Sequence, residues 1–234
     1  MSTEIPRPDI ILARHAHSEG NAGKRTSGFA EIALTEDGHR QAETLAKQVI
    51  DRFGVNAIGR IITTPYVRTQ QTAAPLIQRV GLEPLVMPGM REITYLQPSN
   101  ADGKTFDERR ELRDVFWAAT KLNLDYVDEG ELPLDSARSF VKRIHDSLDE
   151  LAVIVEEDPR LHVVYSHEFP VATALNIARG KSDDEIIATM IEHQKVVPAI
   201  DNTQAVGLTY KNGKWTLAHN SHTDLFQSSR RYTL

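Results

Sequence analysis

Short apolar segments alternate with amphipathic helical segments along the whole chain, and this alternation is what most limits its fold. Residues 9–13, 60–63 and 161–165 are apolar runs bounded by polar residues, which is typical of buried parallel strands. Residues 36–53 and 135–157 carry apolar residues at helical spacing. This order of elements predicts a three-layer α/β/α sandwich around a mainly parallel central sheet.

Several helix ends can also be predicted. Thr35 can cap the first helix, and Gly54 can end it. Pro65 suits the first position of a second helix, and Pro75 should kink that helix or end it early. A further helix is expected from about residue 170 to residue 180.

Two segments depart from the alternation. Strand signals on either side of Asn212 and Gly213 predict a β-hairpin near the end of the chain. Residues 93–134 combine turn residues, a charged helical stretch and an acidic loop, which predicts a lid-like insertion over one end of the sheet. Because no interdomain linker interrupts the pattern, we expect a single domain over residues 1–234.

Composition narrows the function. The chain has no cysteine, which excludes disulfides, cysteine-ligated zinc and thiolate catalysis. Its net charge of −6 argues against nucleic acid as a partner. No segment approaches the roughly 20 apolar residues that span a bilayer, and residues 1–6 lack the basic and apolar regions of a signal peptide. We therefore expect a cytoplasmic protein without a membrane partner; the sequence carries no signal for an oligomeric state.

Charged and polar residues follow the predicted strands at their carboxyl ends, where open α/β sheets bind ligands. Arg14, His15 and His17 follow the first strand, Arg68 lies in the first turn of the helix after residues 60–63, and His167 follows residues 161–165. The arginine fork fits phosphate oxygens, and a histidine ring nitrogen can attack or move protons near neutral pH. These residues predict a phosphate-sized anion site that contains a histidine.

A different interpretation of the same segment is a metal site. His15 and His17 would share one face of a strand, as a ligand pair does in metal-dependent amidohydrolases. That fold is an eight-stranded barrel of about 250 residues or more, and too few further strand-end ligands occur here to complete its site. We therefore predict no metal and no cofactor.

The residues around the strand ends form five motifs that follow one another in order. They are Arg14-His15-Ala16-His17-Ser18-Glu19-Gly20-Asn21, Leu34-Thr35 with Gly38 and Gln41-Ala42, Arg68-Thr69-Gln70-Gln71-Thr72-Ala73, Arg91-Glu92-Ile93, and Val164-Tyr165-Ser166-His167. Together they resemble the motifs of the histidine phosphatase superfamily, in its phosphoglycerate mutase-like branch (branch 1). The resemblance spans residues 9–226 and implies a phosphoglycerate mutase-like fold.

The resemblance also implies the role of each catalytic residue. His15 would attack phosphorus to give a phosphohistidine, while Arg14, Arg68 and His167 would surround the phosphoryl oxygens and stabilise their charge. Glu92 would protonate the leaving oxygen and then take a proton from the attacking water, which requires a raised pKa. The two arginines would make a metal ion unnecessary.

Substrate-binding positions follow from the same resemblance. Asn21 would add a neutral donor, and Ser27 and Gly28 stand where family members contact the substrate. Glu168 stands where a glycine commonly follows the second histidine, and so places a negative charge beside the phosphate site. It could repel a second substrate phosphate or pair with a cationic group of the substrate.

The expected function is therefore a histidine acid phosphatase-like phosphomonoesterase that acts on a small phosphorylated metabolite. One alternative is phosphoryl transfer of the phosphoglycerate mutase type. Hydrolysis is favoured because Glu92 is followed by Ile93-Thr94-Tyr95-Leu96 rather than by the further signatures of the cofactor-dependent mutases. A second alternative, which Glu168 keeps open, is a non-catalytic module that binds a phosphorylated ligand.

Overall fold

Six strands form one sheet in the described part of the protein. The structure, a computed structural model, describes residues 7–26, 29–127, 130, 132–193, 198–218 and 225–226. The strands are β1 (Ile10–Arg14), β2 (Ile58–Thr63), β3 (Leu85–Val86), β4 (Leu161–Ser166), β5 (Ala205–Lys211) and β6 (Lys214–Leu217). Their spatial order is β3-β2-β4-β1-β5-β6. The four strands from β3 to β1 are parallel, and β5 and β6 are antiparallel, which confirms a mainly parallel sheet.

Helices cover both faces of the sheet. They are α1 (Glu36–Phe53), α2 (Val67–Val80), α3 (Pro98–Ala101), α4 (Arg110–Leu122), α5 (Ala137–Glu157), α6 (Glu168–Ala178) and α7 (Asp183–His193), with 3₁₀ turns at Val55–Ala57 and Pro88–Met90. Ile11 and Ala13 of β1 face a core shared with α1 and α2, whereas Ile10 and Leu12 face a core shared with α5 and α6. The predicted three-layer sandwich is confirmed. No helix in the described ranges is long and apolar enough to cross a bilayer.

Some predicted helix ends are confirmed, and others are wrong. Thr35 caps α1 by accepting a hydrogen bond from the Gly38 amide, and Gly54 ends that helix at a φ of 80°. However, α2 begins at Val67 rather than Pro65, and it continues through Pro75 to Val80. A proline inside a helix costs about 3 kcal/mol. The buried face of α2, which packs on the sheet and on α1, offsets this cost because burying one large apolar side chain contributes about 1.5–3 kcal/mol.

Three elements near the sheet depart from the prediction. Helix α6 begins at Glu168, two residues earlier than expected, so that His167 is its N-cap residue. Helix α7 and the two-residue strand β3 were not predicted.

The hairpin of β5 and β6 is confirmed, because Asn212 and Gly213 have φ values of 52° and 74°, as a tight turn between two strands requires.

Residues 93–134 fold as α3, α4 and their connecting loops, as far as they are described. Aromatic rings join this segment to α6. Tyr95 stacks on Phe116 at 5.0 Å, Phe116 meets Trp117 edge-on at 5.0 Å, and Trp117 stacks on Phe169 at 6.2 Å between ring centroids. Trp117 is 1% exposed. The segment is thus anchored beside the strand ends, and its action as a lid stays a prediction.

Candidate active site

Two adjacent parallel strands bring the two motif histidines together. Arg14 at the end of β1 pairs in register with Ser166 at the end of β4, and the His15 amide donates to the Ser166 carbonyl oxygen at 2.9 Å. The next residue along the second strand is His167, and the centroids of the His15 and His167 rings are 5.3 Å apart. The sheet register therefore places the two histidine side chains next to each other.

The His15 side chain is held in one tautomer. Its Nδ1 lies 2.7 Å from the Ala16 carbonyl oxygen. Since a carbonyl can only accept, Nδ1 carries the proton and the lone pair lies on Nε2. Burial lowers the pKa of His15 well below its usual value, and the charges of Arg68 and Arg14 lower it further. The ring is therefore neutral near pH 7, with Nε2 available as a nucleophile.

Arg68 and His167 form a second buried pair. Arg68 Nη2 donates to His167 Nδ1 at 3.0 Å, so that the proton of this ring lies on Nε2, which donates to Thr64 Oγ1 at 2.9 Å. The other arm of Arg68, Nη1, donates to the Phe29 carbonyl oxygen at 2.7 Å. Burial, followed by the charge of Arg68, lowers the pKa of His167 well below its usual value. Here His167 orients Arg68, and a contact of its own with a phosphoryl group stays a prediction.

Arg14 is held by two acceptors. Its Nη1 donates to the Ile200 carbonyl oxygen at 2.5 Å and lies 3.1 Å from Glu168 Oε2. The second contact is an ion pair at the position where the sequence departs from the family motif. Sequence reasoning expected Glu168 to act on the substrate and did not anticipate a partner within the protein.

Glu92 has the protonation behaviour expected of a general acid. Burial raises the pKa of its carboxyl to about 7, and the nearby charge of Glu168 also raises it. The Ile93 amide donates a hydrogen bond to Glu92 Oε1 at 3.0 Å and thereby lowers this pKa, and the charges of Arg68 and Arg14 also lower it. Since desolvation is the largest of these influences, the carboxyl is partly protonated at neutral pH.

Arg143 of α5 fixes the loop that carries Glu92, and sequence reasoning missed it. Its Nη1 donates to the carbonyl oxygens of Gly89 and Arg91 at 2.6 and 3.0 Å, and its Nη2 pairs with Asp135 Oδ2 at 2.8 Å. Gly89 and Arg91 are 54 and 52 residues from Arg143 in the chain, and no local pattern marks these two contacts. Thr64 is a second missed residue, and the Thr63-Thr64-Pro65 end of β2 was its available signal.

One cavity of about 480 Å³ opens onto these groups. Five of the predicted site residues line it, and His167 lies behind them, with no exposed surface. The five are Arg14, His15, Asn21, Arg68 and Glu92. Residues 93–134 add a wall made of Ile93, Tyr95, Leu96, Phe106, Asp107, Arg109 and Arg113. Glu168 and Phe169, at the start of α6, also line the cavity.

The remaining predicted residues differ in their placement. Asn21 Oδ1 accepts from the Ser18 amide at 3.1 Å, so its amide nitrogen is the atom that can donate to a ligand. His17 lies outside the cavity lining, where its Nδ1 contacts Thr35 Oγ1 at 3.0 Å. Ser27 and Gly28 lie outside the described residues.

The alternative metal site finds no ligand set in the described ranges. No group of three or more histidine, aspartate or glutamate side chains there is arranged to hold a metal ion. In both candidate ligands Nδ1 is occupied, since His15 Nδ1 donates to the Ala16 carbonyl and His17 Nδ1 contacts Thr35 Oγ1.

Comparison with known proteins identifies the family. The family model of the histidine phosphatase superfamily (branch 1) matches residues 10–222, and the chain belongs to this superfamily. Two curated relatives, from Photorhabdus laumondii and Cronobacter sakazakii, are both named "probable phosphoglycerate mutase GpmB". They are 32% and 37% identical over 62% and 60% of this chain. The chain spans only 58% and 61% of the length of those relatives.

Solved structures share the fold at low identity. A phosphoserine phosphatase from Entamoeba histolytica, in complex with 3-phosphoglyceric acid, has a TM-score of 0.66 at 21% identity; 93% of this chain and 97% of that chain are covered. A mycobacterial glucosyl-3-phosphoglycerate phosphatase has a TM-score of 0.67 at 18% identity, with 92% and 98% covered. At such identities the likeness shows a common fold and not a common substrate.

Proposed function

We propose that this protein is a metal-independent phosphatase that hydrolyses a small phosphomonoester through a phosphohistidine on His15. The observation that carries the proposal is the state of His15, which is neutral, is held through Nδ1 and presents Nε2. Arg14, Arg68 and Glu92 line the same cavity. A nucleophile, two permanent cations and a carboxyl with a pKa of about 7 are what phosphoryl transfer to a histidine needs.

In the first step, His15 Nε2 attacks phosphorus, and the bond between phosphorus and the alcohol oxygen breaks. Glu92, in its protonated form, gives its proton to the leaving oxygen, so that a neutral alcohol departs. Arg14 and Arg68 stabilise the negative charge on the remaining phosphoryl oxygens. Because arginine is permanently charged and forms paired hydrogen bonds with phosphate, these two residues supply the charge that a divalent cation supplies elsewhere.

In the second step, water replaces the alcohol. Glu92, now ionised, takes a proton from the water as its oxygen attacks phosphorus, and the phosphorus–nitrogen bond breaks. Inorganic phosphate leaves, His15 regains its lone pair on Nε2, and Glu92 is protonated again. A pKa near 7 suits both roles, since neither protonation state of Glu92 is rare at neutral pH.

Phosphoglycerate mutase activity is the second candidate, and the names of the curated relatives favour it. A mutase must keep the phosphoryl group on His15 and return it to a second hydroxyl before water reacts. The two functions differ in one measurable ratio: a mutase interconverts phosphoglycerates faster than it releases inorganic phosphate, and a phosphatase does the reverse. A module that only binds phosphorylated ligands would do neither.

The test is hydrolysis of p-nitrophenyl phosphate in the presence of EDTA. We expect turnover by the unaltered protein and a loss of at least about 10³-fold in the His15→Ala variant, because the nucleophile is gone. His17→Ala is the matched control and should retain turnover, since His17 lies outside the cavity lining. Full activity of His15→Ala would refute the mechanism, and loss of activity in EDTA would support a metal site.

A further inference from the structure

Glu168 places a carboxylate at the phosphoryl end of the cavity. It is the first residue of α6, directly after His167, and it lines the cavity together with Arg14 and His15. Its Oε2 lies 3.1 Å from Arg14 Nη1, on one of the two cations assigned to the phosphoryl group. A phosphate oxygen bound by Arg14 would therefore lie close to a negative charge.

The charges of the site can be counted residue by residue. Arg14 and Arg68 each contribute one positive charge, and Glu168 contributes one negative charge. His15 is neutral because burial and the arginines lower its pKa. Glu92 is uncharged in the protonated form that starts the reaction. The site thus carries one net positive charge, whereas a phosphomonoester carries about −1.5 to −2 at pH 7. About half to one negative charge of an ordinary ester therefore stays uncompensated.

Other cations line the cavity, and each has a partner within the protein. The pairs are Lys24 with Glu19 at 3.1 Å, Arg109 with Thr26 Oγ1 at 2.7 Å, and Arg113 with Asp114 at 3.6 Å. Glu19 and Asp114 offset the charges of Lys24 and Arg113, whereas Thr26 is neutral and leaves the charge of Arg109, which lies in the wall formed by residues 93–134. The imbalance at Glu168 can be removed by the substrate itself, through a positive charge near its phosphoryl group.

We propose that Glu168 selects phosphomonoesters whose alcohol carries an ammonium group close to the ester oxygen. This inference rests on the proposed function, and it adds the chemical class of the substrate. The ammonium group contacts the Glu168 carboxylate while Arg14 and Arg68 hold the phosphoryl oxygens. Such a substrate carries about one net negative charge and matches the net charge of the site.

The test uses two esters of equal size, phosphoethanolamine and propyl phosphate, which differ by an ammonium in place of a methyl group. We expect kcat/KM to be at least about tenfold higher for phosphoethanolamine, since a hydrogen bond between charged groups contributes at least that factor. In Glu168→Gln the ratio should fall to about one, with a loss for phosphoethanolamine and a gain for propyl phosphate. Asp107→Asn is the matched control: it removes another cavity carboxylate and should keep the ratio.

Two further outcomes separate this inference from the proposed function. If Glu168→Gln changes kcat/KM for both esters by the same factor, Glu168 only positions Arg14, and the inference is overturned. If the protein releases phosphate from no ester, the proposed function fails, and the inference is then decided by binding. Calorimetric titration of both esters into His15→Ala would show tighter binding of phosphoethanolamine that depends on Glu168 if the inference holds, and equal binding if it is wrong.

Discussion

The two sides of the cavity are built differently. On the strand side, His15 and Arg68 are buried, and each side chain donates a hydrogen bond to a backbone carbonyl oxygen. On the side of residues 93–134, the wall includes Phe106, which is 56% exposed, and Arg113, whose guanidinium lies 5.4 Å from the Phe106 ring centroid. The first side has a geometry set by the sheet, and the second includes a side chain that is largely exposed.

This difference indicates that the two sides of the cavity have different roles in the reaction. Groups that stabilise a transition state must be in place before the reaction, and hydrogen bonds to backbone achieve that. Groups that only surround the leaving alcohol need complementary shape, and partly exposed side chains can provide it. We therefore expect substitutions on the strand side to reduce kcat for every ester, and substitutions in the wall to change KM for some esters only.

After His15→Ala, the largest effect should come from Arg68→Met. It removes a cation from the phosphoryl site and leaves His167 Nδ1 without its donor. We expect kcat/KM to fall by about 10³-fold for alkyl and aryl esters alike, measured by phosphate release. Arg68→Lys, which keeps the charge without the fork, should recover only part of this loss. A loss confined to one ester would contradict the proposed difference in role between the strand side and the wall.

Glu92→Gln should have the next largest effect, and one that depends on the leaving group. An alkyl alcohol needs a proton to depart, whereas nitrophenolate does not. We expect a loss of about 10²-fold for propyl phosphate and a much smaller loss for p-nitrophenyl phosphate, from steady-state rates on both. Equal losses would remove Glu92 from the role of general acid.

The pH dependence provides a third test. The first step requires protonated Glu92, whose pKa is raised to about 7, so activity on alkyl esters should be present below this pH and fall above it. On the acidic side, the same first step, which kcat/KM reports, needs neutral His15; since the pKa of His15 is lowered, kcat/KM should persist to well below pH 6.5. Hydrolysis of the phosphohistidine needs ionised Glu92 and should slow below pH 7, which lowers kcat there. The alkaline decline should be absent in the residual activity of Glu92→Gln; if it remains there, another group causes it.

The smallest effect is expected from Phe106→Ala in the wall. Its side chain is largely exposed, so the free energy of unfolding should change by no more than about 0.5 kcal/mol. KM for an aryl ester should rise a few-fold, with kcat unchanged. A tenfold fall in kcat would show that this wall positions reacting groups and would remove the contrast between the two sides.

The strand side was predicted well because its residues are fixed by local sequence. An apolar run ending in Arg14 and His15 specifies both the strand and the side chains at its end, and the same holds for His167. Thr35 and Gly54 predicted α1 correctly for a similar reason, since caps act within one turn.

The other features depend on contacts that are distant in sequence. Pro75 was expected to disturb α2, but the packing of that helix on α1 decides its length. Glu168 forms an ion pair with Arg14, and Arg143 donates a hydrogen bond to the loop that carries Glu92. Only the folded chain brings these residues together. Such contacts leave no mark in a single sequence.

The hydrogen bond from His15 Nδ1 to the carbonyl of Ala16 also determines which chemical isomer an intermediate would be. With Nδ1 occupied, a phosphoryl group accepted by His15 must lie on Nε2, which gives the tele isomer of phosphohistidine. Phosphoramidates of this kind survive alkali and are lost in acid. A phosphoenzyme quenched in base should therefore keep its label, while one quenched in acid should lose it, and phosphorus NMR should assign the bond to the outer ring nitrogen.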